Sequence, residues 1–225
     1  MPHFDIVKNN NPEITFRVSK IQADFDIKLE HSCERFTGDI DLSSDWNIGV
    51  IVGASGTGKT TIAKELFNEQ LIKGFEYKAK SVIDDMPQDK SVDEITKMFY
   101  SVGFGSVPSW LKPYSVLSNG EKMRVDLARA LLEKDFICFD EFTSVVDRNV
   151  AQTACIAINK AIMRSGKKFV AVSCHYDILE WLQPNWIFDT NTMQFSFMTA
   201  HEQKSSSLYA NVQKMSGQSL GNIII

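Results

Sequence analysis

The chain has 225 residues, 44% of them apolar and 23% charged, which is the balance of a soluble globular protein with room for one large α/β domain or two small ones. Twenty-four Lys and Arg against 28 Asp and Glu give a net charge of -4, which argues against a strongly basic nucleic-acid binder and leaves a local basic patch open. There is no run of 18 apolar residues, the start Met1-Pro2-His3-Phe4-Asp5 lacks a signal-peptide pattern, and Cys33, Cys138, Cys155 and Cys174 lack metal-ligand spacing. These features lead us to expect a cytoplasmic protein without membrane insertion, its thiols reduced.

In chain order, Ile14–Val18 and Phe25–Leu29 alternate apolar and polar residues and predict half-buried strands of an antiparallel layer. Ile48–Val52 is a continuous apolar run, as in a strand buried on both faces. A helix is expected from Lys59, with Ile62, Leu66 and Phe67 inward. Pro87, Pro108 and Pro113 break up residues 81–116, where Val92, Ile95 and Phe99 suggest one short helix. Ser118 opens a strong helix through Met123, Leu127 and Leu131, and Glu121 three residues on completes a capping-box pattern. Phe136–Phe139 reads as a second buried strand ending at Asp140-Glu141. Val150–Ser165 follows as a helix stopped by Gly166, and Phe169–Val172 as a third buried strand leading to His175. This rhythm predicts an α/β fold with a mainly parallel sheet and helical crossovers. Residues 191–225 turn polar and read as a tail of uncertain order, ending in the sticky Ile223-Ile224-Ile225.

Gly53-Ala54-Ser55-Gly56-Thr57-Gly58-Lys59-Thr60 matches G-x-x-x-x-G-K-S/T in full, between a buried strand and a helix. Glycines at these positions let backbone N–H groups turn inward around phosphates, and the helix start behind adds its positive dipole end. Lys59 is expected to reach the β- and γ-phosphates, Thr60 to ligate Mg2+ and Thr61 to donate to the α-phosphate. At the end of a buried strand, Asp140 and Glu141 should project into the same crevice. Asp140 suits a metal-holding role and Glu141 that of a general base on water.

Leu117-Ser118-Asn119-Gly120-Glu121 stands 22 residues before Asp140, counted from Ser118. Here the chain resembles the ATP-binding cassette (ABC) ATPases, whose LSGGQ signature lies in the same order between phosphate loop and acidic strand. Asn119 replaces a glycine, a mild change because Asn tolerates a left-handed torsion, and Glu121 replaces the glutamine. Ser144-Val145-Val146-Asp147 resembles the family's D-loop, and His175 its switch histidine, which contacts the γ-phosphate. The resemblance covers roughly residues 14–190. It implies a P-loop NTPase fold with an N-terminal antiparallel β layer and a short helical subdomain, about 89–134, in an ATPase domain spanning 1–190. The family's Mg2+-sensing glutamine has three candidate positions. Gln88 lies 29 residues after Lys59, and Asp84 and Asp85 compete for the place. Phe16, Phe25 and Phe36 are the candidates for an aromatic stacked on adenine.

The resemblance further implies ATP and Mg2+ as ligands. Two copies would pair head to tail, with Ser118, Asn119, Gly120 and Asp147 of one meeting the nucleotide on the phosphate loop of the other. Three roles compete: a soluble switch acting on a macromolecular partner, the nucleotide-binding subunit of a transporter, and a degenerate cassette. Intact Lys59, Asp140, Glu141 and His175 argue against the last. Only 28 residues, Asp89 to Val116, separate Gln88 from the signature, and Phe142 stands where transporters usually carry proline; both favour the first. A DNA-repair role stays open, although no long heptads are present.

Overall fold

The computed structural model describes residues 3–10, 13–26 and 32–198. Two strands, β1 (His3–Asn10) and β2 (Ser32–Asp39), pair antiparallel, with Ile6 opposite Phe36 and Phe4 opposite Gly38. The main sheet has five strands: β3 (Ile48–Val52), β4 (Phe136–Phe139), β5 (Lys168–Ser173), β6 (Trp186–Asp189) and β7 (Gln194–Phe197). Their spatial order is β4-β5-β3-β6-β7, all parallel except β7, which runs antiparallel to β6. The α/β class, parallel core and antiparallel layer expected from the sequence are therefore present.

The N-terminal layer is built from other residues than expected. Ile14–Val18 is not a strand: Thr15 caps helix α1 (Phe16–Phe25), its hydroxyl accepting the Val18 N–H at 3.3 Å. A five-residue alternation fits a helix as readily, and Val18, Ile21 and Phe25 recur at helical steps. The proposed strand Phe25–Leu29 fails at its start, where Phe25 is helical and Asp26 ends α1 at φ 50°. Residues 27–29 lie outside the described residues. The layer's true signal was the alternation of Phe4 and Ile6, which face inward from β1 between exposed His3, Asp5 and Val7.

Both faces of the main sheet are buried. Val50, Ile137, Phe169, Ala171 and Ile187 pack against α3 (Val92–Ser101), α5 (Asn119–Glu133), α6 (Arg148–Ser165) and α7 (Ile178–Leu182). On the other face Ile51, Cys138, Val170, Val172 and Phe188 meet α2 (Lys59–Phe67) and the β1–β2 layer through Phe4, Phe36 and Phe67. Burial pushes the thiols of Cys138 and Cys155 up to about 12, so both are inert core groups. Between α3 and α5 lies the short helix α4 (Val107–Trp110), whose Trp110 indole donates to the Phe104 carbonyl at 2.9 Å inside an aromatic cluster with Phe99.

The ordered sheet continues past residue 190, since β7 closes its edge and the Met198 N–H donates to the Asn185 carbonyl at 2.6 Å. Ile223–Ile225 and the rest of 199–225 lie outside the described residues. Helix α6 starts two residues before the expected Val150, because the Asp147 carboxylate caps it by accepting the Asn149 N–H at 2.8 Å.

Candidate phosphate-binding site

Strand order decides what meets at the site. β5 lies between β3 and β4, and β6 flanks β3, so the loops after all four strands emerge along one carboxyl edge. Val52 stands opposite Ser173 on one side and Asp189 on the other. The phosphate loop, Asp140-Glu141, His175 and the turn after Asp189 all leave from this edge, and of Asp140, Glu141 and His175 Glu141 alone lines the phosphate cavity.

The phosphate loop closes around a cavity of about 180 Å³, lined by Ser55, Gly56, Gly58, Lys59, Thr60 and Thr61 and, from outside the loop, by Lys8, Phe36 and Glu141. Gly58 has φ 85°, and a Cβ there would lie 2.5 Å from the Phe36 ring, so the position requires glycine. A Cβ on Gly53 would sit 2.1 Å from the Thr190 hydroxyl. The Lys59 side chain is 8% exposed and its ammonium donates to the Ala54 carbonyl at 2.6 Å. Thr57 donates to the same carbonyl at 2.8 Å. The first half of the loop is held from β6–β7: the Ala54 N–H donates to Asn191 Oδ1 at 3.0 Å, and Thr57 and Thr190 share a hydroxyl pair.

Asp140 accepts the Glu141 N–H at 2.9 Å. Glu141 itself has φ 52°, a left-handed torsion uncommon for a side-chain-bearing residue and typical of functional sites. The following Phe142 N–H is anchored on the Val172 carbonyl at 2.8 Å, which sets the turn. Glu141 also lines a second cavity of about 260 Å³, together with Asp140, Asn119, Met123 and Tyr114. Among the described residues no group of three or more His, Cys, Asp or Glu forms a metal cage.

The capping box at Ser118 is complete. Its hydroxyl accepts the Glu121 N–H at 3.3 Å, and the Glu121 carboxylate accepts the Ser118 N–H at 3.0 Å. Ser109 donates to Glu121 at 2.7 Å, and this bond, with those from Ser118, holds the Glu121 carboxyl below its ordinary value. Asn119 is the first helical residue and carries no left-handed torsion, so the tolerance argued for that substitution is not used. Gly120 packs closely, with a Cβ there falling 3.0 Å from Val150. Ser118 and Asn119 are exposed, and none of Ser118, Asn119 and Gly120 lines the phosphate cavity.

His175 follows β5 on a turn where its N–H donates to the Ser173 hydroxyl at 3.2 Å. Asp147 is exposed at the α6 start. Gln88 is folded onto its own turn, its amide donating to the carbonyls of Asp84 at 3.1 Å and Met86 at 3.3 Å. Asp84 takes the Ser81 hydroxyl, and Asp85 accepts the N–H groups of Lys78 and Ala79. None of these three lines the phosphate cavity. Phe16 and Phe25 are 84% and 69% exposed on α1, whereas Phe36 is buried against Gly58.

Sequence reasoning missed Lys8, Tyr176, Asp189, Thr190 and Asn191. A signal for Asp189 was available: Trp186-Ile187-Phe188-Asp189 is an apolar run ended by an acid, like Phe136–Asp140.

Residues 50–163 match the model of the ATPase family associated with various cellular activities (AAA), just over half of the chain. No curated protein sequence matches. Among solved structures, the chain is similar to CbiO1 from Clostridium perfringens, part of the ABC transporter complex CbiONQ, with TM-score 0.58 and 16% identity over 82% of this chain and 86% of that one. It is similar to the bacterial ABC transporter cassette MJ0796, solved as a dimer, with TM-score 0.52 and 15% identity over 69% and 87% of the two chains. A dimer of MJ0796 in a post-hydrolysis state with ADP and Pi scores 0.52 at 16% identity over 72% and 89%. The AAA match spans β3 to α6, hence the phosphate loop and the acidic pair, and the structural likeness adds the cassette architecture around them. The chain belongs to the ATPase family associated with various cellular activities, and it wears the fold of an ATP-binding cassette.

Proposed function

We propose that this ATPase binds Mg2+ and ATP between two copies of itself and uses hydrolysis to separate them, acting as a switch on a macromolecular partner. The carrying observation is a separation. The cavity formed by the phosphate loop is walled by Glu141 and Lys59, while Ser118, at its helix start, is exposed outside it and Asn119 lines the second cavity, which shares Glu141 with the first. The free N–H groups of that helix start form an anion site that a second copy can present to the γ-phosphate. ATP offers that bridging γ-phosphate and ADP does not, so nucleotide state becomes pairing state.

In this reading the backbone of Gly53 to Gly58 cradles the phosphates, Lys59 leaves the Ala54 carbonyl for the β- and γ-oxygens, and Thr61 contacts the α-phosphate. The Thr60 hydroxyl and Asp140 fit Mg2+, an ion that needs few protein ligands when phosphate oxygens complete its shell. When bound there, Mg2+ would neutralise charge on the phosphate oxygens. Glu141 takes the proton from the attacking water and His175 contacts the γ-phosphate. Asn119, Gly120 and Asp147 lie at the copy–copy contact. Gln88 serves as a Mg2+-sensing group only by leaving its present turn.

Glu141→Gln should bind ATP, lose roughly 100-fold or more of its turnover, and sediment as a dimer with ATP. Wild-type turnover would remove the base assignment. Ser118→Arg should stay monomeric with ATP; unchanged ATP-dependent sedimentation would remove the trans pairing. The second reading, a transporter subunit, is favoured by the likeness to CbiO1 and MJ0796. Pull-down with Glu141→Gln in ATP discriminates between them: a membrane subunit among the captured proteins supports a transporter, DNA-stimulated turnover a maintenance role, and a soluble partner the switch.

A further inference from the structure

The two residues after His175 are each fastened to a different part of the site. The Tyr176 hydroxyl donates to Asp189 Oδ2 at 2.9 Å and accepts from the Asn191 amide nitrogen at 3.0 Å. The oxygen of that same Asn191 amide accepts the Ala54 N–H at 3.0 Å. Asp189 is buried, and its other oxygen accepts the Asn191 N–H at 2.8 Å, which fixes the amide in place. A continuous hydrogen-bonded line therefore runs from the neighbour of His175 to the phosphate loop. On the other flank Arg148, the residue after Asp147, forks onto Asp177, with Nε 2.8 Å from Oδ2 and a terminal nitrogen on Oδ1. Its guanidinium lies 5.2 Å from the centre of the Trp181 ring.

We infer that Tyr176 is a positioning residue for turnover, whose hydroxyl sets where His175 stands relative to the phosphate loop. This rests on the reading of His175 as the group that contacts the γ-phosphate. A hydroxyl that both donates and accepts is fixed in direction as well as distance. Consecutive Cα atoms are about 3.8 Å apart, so a displaced Tyr176 carries His175 with it. The line ends on Ala54, the residue whose carbonyl holds the Lys59 ammonium at 2.6 Å. His175 is thereby referenced to the loop that cradles the phosphates, and catalytic groups need placement to within about 0.5 Å. With Arg148 still holding Asp177 and the Leu179 N–H still on the Tyr176 carbonyl at 3.1 Å, loss of the tyrosine hydroxyl cuts the line to the phosphate loop without releasing the rest of the turn.

The test is a double-mutant cycle on the full chain: His175→Ala, Tyr176→Phe and the pair, with turnover number, ATP affinity and thermal midpoint measured for each. Tyr176→Phe should lower the turnover number tenfold or more while ATP affinity stays within threefold, and the pair should be no slower than His175→Ala alone. A merely structural tyrosine would slow the pair further, and multiplying losses overturn the inference. His175→Ala slow with Tyr176→Phe at the wild-type rate overturns the tether alone. His175→Ala at the wild-type rate removes the histidine assignment beneath it. Should Tyr176→Phe not fold, Asn191→Ala cuts the same line from the other end and is read in the same cycle.

Discussion

The strand edge that walls the phosphate cavity and the segment that presents Ser118 hold their polar groups in opposite ways. At the strand edge the bonds that fasten one loop to another join partners distant in sequence: Ala54 and Asn191 are 137 positions apart, and the Thr190 hydroxyl reaches the Val52 carbonyl across 138. Around Ser118 most of the bonds are local, spanning three positions to Glu121 and twelve from Ser109 to Glu121 and from Tyr114 to Asp126, with Tyr77, 49 positions from Asp126, as the exception. The cavity is thus a product of the assembled sheet, whereas the helix start is shaped by its own stretch of chain. Damage to the first should appear in nucleotide chemistry, and damage to the polar bonds that support Ser118 from behind, at Glu121 and Asp126, in modest losses of stability.

Four substitutions break or sharpen that contrast. Lys59→Ala removes the buried ammonium and should cost about 100-fold or more in turnover, measured by phosphate release. Retention of wild-type turnover would deny the edge its chemical role. Gly58→Ala places a Cβ against Phe36 at a left-handed torsion and should cost roughly 2 kcal/mol in denaturant unfolding, with ATP affinity falling in parallel. Tyr114→Phe takes one of two hydroxyl donors from Asp126, whose carboxyl is raised by burial and also accepts from Tyr77 at 2.7 Å. The expected loss is about 1 to 2 kcal/mol, with ATP affinity unchanged.

Glu121→Gln is the mildest. The folded state lowers the Glu121 carboxyl below 4.5, so its contribution is present above that value and fades as pH falls through the depressed one. The gap in urea midpoint between wild type and Glu121→Gln should be small at pH 7 and shrink as the pH is lowered below 4.5. A gap that widens in acid would contradict the cap geometry.

The same division explains what could be read from residues alone. The phosphate loop, the capping box and the strand ends at Asp140 and His175 are written in contiguous residue types, and the structure places them at the expected elements. Asn191 and Tyr176 matter only because β6 lies beside β3, a pairing that no local pattern encodes. The five residues from Ile14 to Val18 were ambiguous because alternation and helical spacing coincide over so short a stretch. The cap at Thr15 decided for the helix.

Glu141 is held at φ 52°, where an asparagine or glycine would rest more easily. A library of this chain selected for heat resistance alone should therefore drift toward those residues at position 141, gaining melting temperature while turnover fades.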